Sequence, residues 1–161
     1  MTSGRWVAIG IVVITAIFGL AQWFFQTRAY YEDVGDVALM LTLAETGERL
    51  QLAATAVEAI DADTSPLRFR ACFTLDPAAA EAATPEAIAT IARPYPEAAP
   101  LIAPGWFDCF DAAAIGAALQ SGEARAYLSH AEIARGVDRV IAVFPDGRAF
   151  AWHQLNGTLE D

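Results

Sequence analysis

The residues best suited to chemistry are two cysteines, Cys72 and Cys109, which lie 37 positions apart. This spacing matches neither a CxxC redox motif, nor a c-type haem attachment site, nor a zinc ribbon. We expect a structural disulfide between them, which would stabilise a small domain by about 4 kcal/mol in the loop-entropy model. One alternative is two unbonded thiols. The other is a reactive thiol at Cys72, because Arg68 and Arg70 beside it would favour the thiolate form.

Two histidines, His130 and His153, lie on predicted strands. Together with the cysteines they make the count, though not the spacing, of a Cys₂His₂ metal site. A single histidine on a strand is more often an ordinary hydrogen-bonded side chain, so we expect no metal site and no cofactor. Ser129 precedes His130, but neighbouring strand residues point to opposite faces, which argues against a catalytic dyad. The sequence contains no P-loop, GxSxG, GxGxxG or HExxH motif. We therefore expect that the protein is not an enzyme.

Two groups of residues could instead bind a partner. Arg68 and Arg70 share one face of the most regular predicted strand, and guanidinium groups suit carboxylates and lipid headgroups. Aromatic side chains on a loop can anchor an interface. Three of them lie together on a predicted loop: Trp106, Phe107 and Phe110. The competing interpretation is structural for both groups, with the arginines in internal ion pairs and the aromatic rings in the core.

The charge of the chain argues against nucleic-acid binding. Its 161 residues include 20 acidic and 10 basic residues, the latter all arginine, which gives a net charge of −10. An acidic chain without a basic stripe repels the phosphate backbone. One apolar span excludes a transporter or channel with several spans, and the remaining length is enough for one small domain.

The apolar stretch at residues 6–25 carries no charge. A helix of this length spans roughly 30 Å, the thickness of the bilayer core. Trp6 and Trp23 stand near its two ends, where interfacial aromatic residues are enriched. A signal peptide cleaved after Ala21 is the alternative, but the apolar run continues beyond that point. We therefore expect an uncleaved single-pass helix that contacts the lipid bilayer.

Charge around this helix indicates its orientation. Arg5 and the amino terminus flank one end, whereas Arg28 flanks the other and is soon followed by acidic residues. The N-terminus is short, so we expect it inside and the C-terminus outside. The arginine-only, alanine-rich composition suggests a bacterial source, which makes the location the inner membrane with a periplasmic domain, an oxidising compartment. The predicted organisation is a cytoplasmic N-terminus at 1–5, a transmembrane helix at 6–25, a linker at 26–35 and a periplasmic domain at 36–161.

Alternation and turn residues predict the structure of the domain. We expect strands at 36–43, 49–57, 67–75, 123–133, 139–144 and 148–155, and short helices at 85–92 and 112–120. The Pro-Asp-Gly turn at 145–147 gives the strongest hairpin. The fold class is therefore α+β: an N-terminal transmembrane helix followed by a small antiparallel-sheet domain with two short helices on one face.

Several stretches resemble an uncharacterised family of small single-pass membrane proteins of photosynthetic and related alphaproteobacteria. They are the apolar helix followed by Tyr30-Tyr31-Glu32, residues 61–73, residues 103–111, residues 144–148 and residues 152–154. Some members of that family carry an automatic histidine kinase label. The resemblance implies no activity and no catalytic residue, and the kinase label lacks support because no nucleotide-binding glycine motif or phosphoacceptor-helix pattern is present.

Together these observations predict a non-catalytic, membrane-anchored periplasmic module. We expect it to be an accessory subunit or assembly factor of a larger membrane protein complex, such as an energy-transducing one. The alternative hypothesis is a small periplasmic thiol- or metal-handling protein. It would use Cys72, Cys109, His130 and His153. A buried disulfide would favour the first hypothesis, and exposed thiols near both histidines the second.

Overall fold

The computed structural model describes residues 2–35 and 37–160 of the chain. Asp36, at which the first strand was predicted to begin, and Asp161, at which the predicted domain ends, lie outside the described residues. The chain divides between Tyr31 and Glu32 into two compact units.

The first unit is built around one long helix, α1 (Thr2–Thr27). Its few polar side chains are satisfied locally, since the hydroxyls of Thr15 and Thr27 donate to carbonyls one turn earlier. The segment Ser3–Thr27 is long and apolar enough to cross a membrane, with a mean hydropathy of 2.2. The predicted span at 6–25 lies inside this helix.

The second unit contains eight strands, two short α-helices and a final 3₁₀ turn among its described residues. In chain order these elements are β1 (Glu32–Asp33), β2 (Met40–Thr42), β3 (Arg49–Gln51), β4 (Ala54–Asp61), β5 (Arg70–Leu75), α2 (Pro85–Ile91), α3 (Ala112–Ser121), β6 (Arg125–Ala134), β7 (Val137–Val143), β8 (Arg148–Leu155) and the turn Thr158–Glu160. The fold class is confirmed, because an apolar N-terminal helix precedes an antiparallel-sheet domain with two short helices.

Six strands form the main sheet in the order β1-β4-β5-β8-β7-β6, and every neighbouring pair is antiparallel. Strands β2 and β3 form a separate two-stranded sheet. The β7–β8 hairpin closes through the turn at 145–147, as predicted, and pairs Val143 with Ala149. The C-terminal hairpin and β5 therefore supply the centre of the sheet.

Several strand boundaries differ from the prediction by a few residues, as at β5, which begins at Arg70 and not at residue 67, and two differences change the sheets. The predicted strand at 49–57 is two strands, because the chain leaves β3 at Leu52, whose amide bonds to Leu39, and joins the main sheet only at β4. Strand β1 pairs with the end of β4, so the domain begins inside the stretch predicted as a linker. Short edge strands such as β1 have too few residues to show alternation.

The sheet packs on both faces. One face carries Phe73 and Ile141 in the main apolar core, where the small sheet and Ile88 of α2 cover it. The other face carries Phe150 and Trp152, and Phe110 lies against both rings immediately before α3 begins. Both layers are needed because the central strands are buried on both sides.

Both α-helices begin where the sequence predicts a cap. The Thr84 hydroxyl accepts a hydrogen bond from the amide of Ala87, and the Asp111 carboxylate accepts from the amides of Ala113 and Ala114. Helix α3 ends at Gly122, which has a left-handed φ of 79°. These caps set where each helix starts and stops on the sheet.

Candidate functional site

Cys72 and Cys109 are joined by a disulfide, with 6.2 Å between their Cα atoms. Cys72 lies on β5 opposite Phe150 of β8, on the aromatic face of the sheet. Cys109 lies in the loop before α3, so the bond fastens this loop to the centre of the sheet. Neither sulfur can act as a thiolate while the bond is intact, and Cys72 is itself buried.

Arg70 is buried and binds the inside of the domain. Its guanidinium group donates hydrogen bonds to four backbone carbonyls. These belong to Leu67, Phe69, Leu101 and Ile102, and the Arg70 group also lies 5.8 Å from the centre of the Phe110 ring. Arg70 therefore ties residues 92–111, which we call the proline-rich loop, to β5. Its guanidinium group is not presented to a partner. Arg68 is half-buried.

Two of the three predicted anchor residues belong to the core. Phe107 and Phe110 are buried, and the Phe110 ring packs edge-to-face against Trp152 at 6.3 Å. Trp106 remains half-buried and packs against Phe107. The most exposed apolar side chain of this loop is Ile102, at 86% exposure. The exposure of Ile102 could not be predicted from the sequence, because residues between prolines have no periodicity that separates buried from exposed positions.

A polar row crosses one end of the sheet on the face that carries the apolar core. The register pairs Glu32 with Asp61, His153 with Arg139, and Arg139 with His130. Phe69 completes the row between Asp61 and His153, because Ile60 pairs with Arg70 and Arg70 with Trp152. The transverse row is therefore Glu32, Asp61, Phe69, His153, Arg139 and His130. Five of its six members, all but Phe69, have ionisable side chains.

His153 is buried in this row in its neutral form. Its Nδ1–H donates to the Pro66 carbonyl at 2.6 Å, and its Nε2 accepts from the Nε–H of Arg139 at 2.9 Å. The imidazole also stacks on Phe69, with 4.7 Å between ring centres. Burial first, and Arg139 second, lower the pKa of His153 to about 4. A second ring proton would point at the arginine, so protonation breaks the arrangement.

His130 binds an arginine from the small sheet. The Nη1 of Arg49 lies 3.0 Å from the Nε2 of His130 and 3.2 Å from its Nδ1. Burial, then Arg49 and then Arg139, lower the pKa of His130. In the register Arg139 stands between His130 and His153, so a cation separates the two imidazoles. Within residues 2–35 and 37–160, no three histidine, cysteine or acidic side chains form a group that could hold a metal ion.

A separate groove of about 840 Å³ lies between residues 94–100 and α3. Its walls are mostly alanine, glycine and proline, and its few polar side chains are those of Tyr95, Gln120, Arg125 and Tyr127. This groove could not be predicted from the sequence, because its short side chains form no motif that indicates a binding site. Such walls offer a shape for binding a ligand or a peptide segment.

Comparison with known proteins identifies one family that the domain matches. The model of a family of unknown function, DUF6446, matches residues 39–161. No curated protein and no solved structure matches the chain. The match covers the two sheets from just before β2, and therefore the disulfide, the proline-rich loop and most of the transverse row.

Removing the disulfide should destabilise the domain. We expect Cys109→Ser, made with Cys72→Ser to avoid a free thiol, to lower the free energy of unfolding by about 4 kcal/mol. Urea unfolding of the full chain in detergent measures the difference. In the wild-type chain, alkylation without reductant should label neither cysteine. Two readily labelled thiols in the native protein would contradict the bond.

Stability should fall in mild acid because of His153. Its folded pKa of about 4 lies below the unfolded value near 6.5, so the unfolded chain binds one more proton between these pH values. The contribution is complete above about pH 6.5 and is lost as the pH falls toward 4, amounting to about 3 kcal/mol. His153→Gln keeps one donor and one acceptor and should flatten this part of the curve. An equal slope in the variant and the wild type would contradict the assignment.

Proposed function

We propose that this chain, which belongs to the DUF6446 family of unknown function, is a non-catalytic membrane-anchored module of a larger membrane protein complex. It acts there as an accessory subunit or assembly factor. The observation that carries the proposal is a contrast between the two parts of the chain. Helix α1 exposes apolar side chains, whereas the domain uses its cysteines and its buried histidine to hold its own fold.

The first support is the surface of α1. Its large apolar side chains are exposed on every side, from Trp6 at 71% to Phe18 at 69% and Phe25 at 50%. A helix on the surface of a water-soluble domain shows one apolar stripe, whereas a helix that is apolar all round is surrounded by lipid or protein. Leaving this surface in water would cost about 25 cal/mol for each Å² of apolar area. A lipid bilayer is the environment that removes this cost.

The second support concerns the compartment. We propose an inner-membrane helix with its N-terminus in the cytoplasm and the domain in the periplasm. Arg5 precedes the apolar segment, as the positive-inside rule requires. A disulfide persists in an oxidising compartment and is rare in a bacterial cytoplasm, and the domain contains the bond between Cys72 and Cys109.

The third support concerns the partner. Only residues 28–31 connect α1 to β1, and four extended residues reach at most about 14 Å. A domain tethered to a membrane helix meets other membrane proteins at a raised effective concentration, which favours an integral membrane protein complex as the partner. The surface that we assign to it is the proline-rich loop, where Ile102 is exposed and Trp106 is half-buried, together with Arg68, which is half-buried just before β5.

No observation favours the alternative of a thiol- or metal-handling protein. Its two cysteines are bonded to each other, and Arg139 separates its two histidines in the sheet. On this proposal the family is the one that the sequence resembles, of small single-pass proteins of photosynthetic alphaproteobacteria. The histidine kinase label of some members gains no support, because the chain lacks a nucleotide-binding glycine motif.

Topology can be tested with a fusion. Alkaline phosphatase joined after residue 161 should be active in a bacterial host, because the enzyme forms its disulfides only outside the cytoplasm. The same fusion made after Arg5, before the apolar segment, is the matched control and should be inactive. Sequencing of the mature protein should show that Trp6 to Phe25 are retained. An inactive C-terminal fusion, or a mature chain that begins at Gln22, would overturn the assigned topology.

Partner binding can be tested by purification of the tagged full chain in a mild detergent. We expect a membrane protein complex to co-purify, and Trp106→Ala to weaken its binding by about 2 kcal/mol or more. Ile102→Asp should abolish co-purification, because it places a charge in an apolar contact. Thr46→Asp introduces the same charge on an exposed turn, keeps the side-chain acceptor for the Glu48 amide, and should bind normally. A wild-type chain that purifies alone would contradict the proposal.

A further inference from the structure

Strand β6 is the last strand of the main sheet, so one side of its backbone faces no further strand of that sheet. Two hydrogen bonds cover parts of this outer edge. The carbonyl of Ala126 accepts from the amide of Tyr95 at 2.9 Å, and the amide of Ala124 donates to the carbonyl of Ala118 in α3 at 3.1 Å. The proline-rich loop and α3 therefore meet the same edge at positions two residues apart.

Two backbone groups between these bonds are left open. Peptide groups alternate in direction along a strand, so the carbonyl of Ala124 and the amide of Ala126 point to the same outer edge. Among residues 2–35 and 37–160, no donor meets the first group and no acceptor meets the second. Only 2% of Ala124 is exposed, and buried backbone groups are nearly always paired in folded proteins. The gap between the two bonds therefore suits a ligand that supplies one donor and one acceptor, as a peptide does.

The groove beside α3 opens onto this gap, since both Ala124 and Ala126 line it. Its lining on α3 runs from Ala112 to Gln120, a length of about 12 Å at the rise of an α-helix. An extended chain covers about four residues in that distance. The walls are mostly alanine, glycine and proline, so another backbone can approach them closely. The groove therefore has the length and the walls for a short extended segment with small side chains.

Arg125 lies between the two open backbone groups in the sequence, and it is the one charged side chain that lines the groove in the described part of the chain. It is exposed, and Glu86 and Glu123 line a neighbouring cavity together with it. Within the described ranges, neither carboxylate forms an ion pair with Arg125. A residue bonded to both open groups would be the cross-strand neighbour of Arg125, where an acidic side chain is favoured over a basic one.

We propose that this groove binds an extended peptide segment of another protein, with an acidic residue opposite Arg125. The amide of that residue donates to the Ala124 carbonyl, and its carbonyl accepts from the Ala126 amide, so the segment adds a short strand to the edge of β6. The side chains beside the acidic residue are small, because they lie against the alanine and glycine of the walls. The site goes beyond the proposed membrane complex, because it rests on β6 and α3 and not on α1 or Ile102.

The first measurement selects peptides from a phage library of random hexapeptides on the full chain in a maltoside detergent. We expect the enriched sequences to share one acidic residue with alanine, glycine, serine or valine beside it. A selected peptide, labelled with fluorescein, should then bind the full chain saturably in fluorescence anisotropy. N-methylation of its acidic residue removes the donor to the Ala124 carbonyl and should weaken binding about fivefold or more.

Matched variants of α3 test the place of binding. Ala117 lines the groove and is exposed, so Ala117→Phe should fill the groove and weaken binding about tenfold or more. Ala114 is also exposed on α3 but does not line the groove, and Ala114→Phe should bind as the wild type does. Arg125→Gln should weaken binding about threefold and remove the preference for an acidic residue. The N-methylated peptide tests the same contact on the unchanged protein.

Hydrogen exchange tests the bond to the sheet edge. The amide of Ala126 has no acceptor in the described part of the chain, so its exchange should slow when the selected peptide binds. The amide of Ala124 already donates to Ala118 and should change little. Both amides can be followed by NMR of the full chain in detergent with isotope-labelled alanine.

Four results would overturn the site. One is a library from which the wild-type chain enriches no peptide. Another is equal binding of the selected peptide to Ala117→Phe and Ala114→Phe. The third is unchanged binding of the N-methylated peptide, which would show a groove for apolar ligands without backbone pairing. The fourth is self-association of the wild-type chain that Ala117→Phe abolishes, which would make the occupant a second copy. None of these results depends on whether a membrane complex co-purifies, so this site and the proposed function can fail separately.

Discussion

The alternation of side chains along β5 is the constraint on which the rest of the domain depends. Arg70 and Cys72 point to the aromatic face, where they fasten the proline-rich loop by hydrogen bonds and by the disulfide. Ala71 and Phe73 point to the other face and enter the apolar core. A shift of one residue in the pairing of β5 with β8 would exchange the two faces. It would bury Arg70 in the apolar core and separate the two cysteines.

The domain holds its two buried arginines through hydrogen bonds to uncharged groups. Arg70 is satisfied by backbone carbonyls, which already need donors because the proline-rich loop forms no regular structure. Arg139 instead uses the neutral ring of His153 and the face of Phe69. The two solutions differ in consequence. Three nitrogens of Arg70 are bonded, whereas Arg139 donates through its Nε and its charge is opposed by Asp61.

Much of the fold follows from local patterns in the sequence. Thr84 and Asp111 predict the two helix starts, because each side chain can accept from the amides that an α-helix leaves free. The turn at 145–147 predicts the last hairpin. It also fixes the register, since counting four residues back from Val143 and four forward from Ala149 reaches Arg139 and His153. That part of the transverse row was therefore open to inference from the hairpin.

The remaining parts of the site depend on contacts between distant segments. Arg70 was correctly placed on a strand, whereas Arg68 lies before β5 begins. Alternation cannot tell whether a strand face is covered, and here a proline-rich loop without periodicity covers Arg70. The break at Leu52 between β3 and β4 was missed for the same reason. The local pattern of residues 49–57 is compatible with one strand. Pairing partners far along the chain decide whether these residues belong to one sheet or to two.

The disulfide also determines which parts of the domain can be stretched. Residues 73–108, which include α2 and most of the proline-rich loop, lie inside the covalent loop that the bond closes. A pull between α1 and β8 would follow the backbone to Cys72, cross to Cys109 through the two sulfur atoms, and continue along α3. The enclosed segment would carry no tension. A pull applied at the C-terminal end of the chain would therefore pass through the sheet while α2 stayed mechanically relaxed.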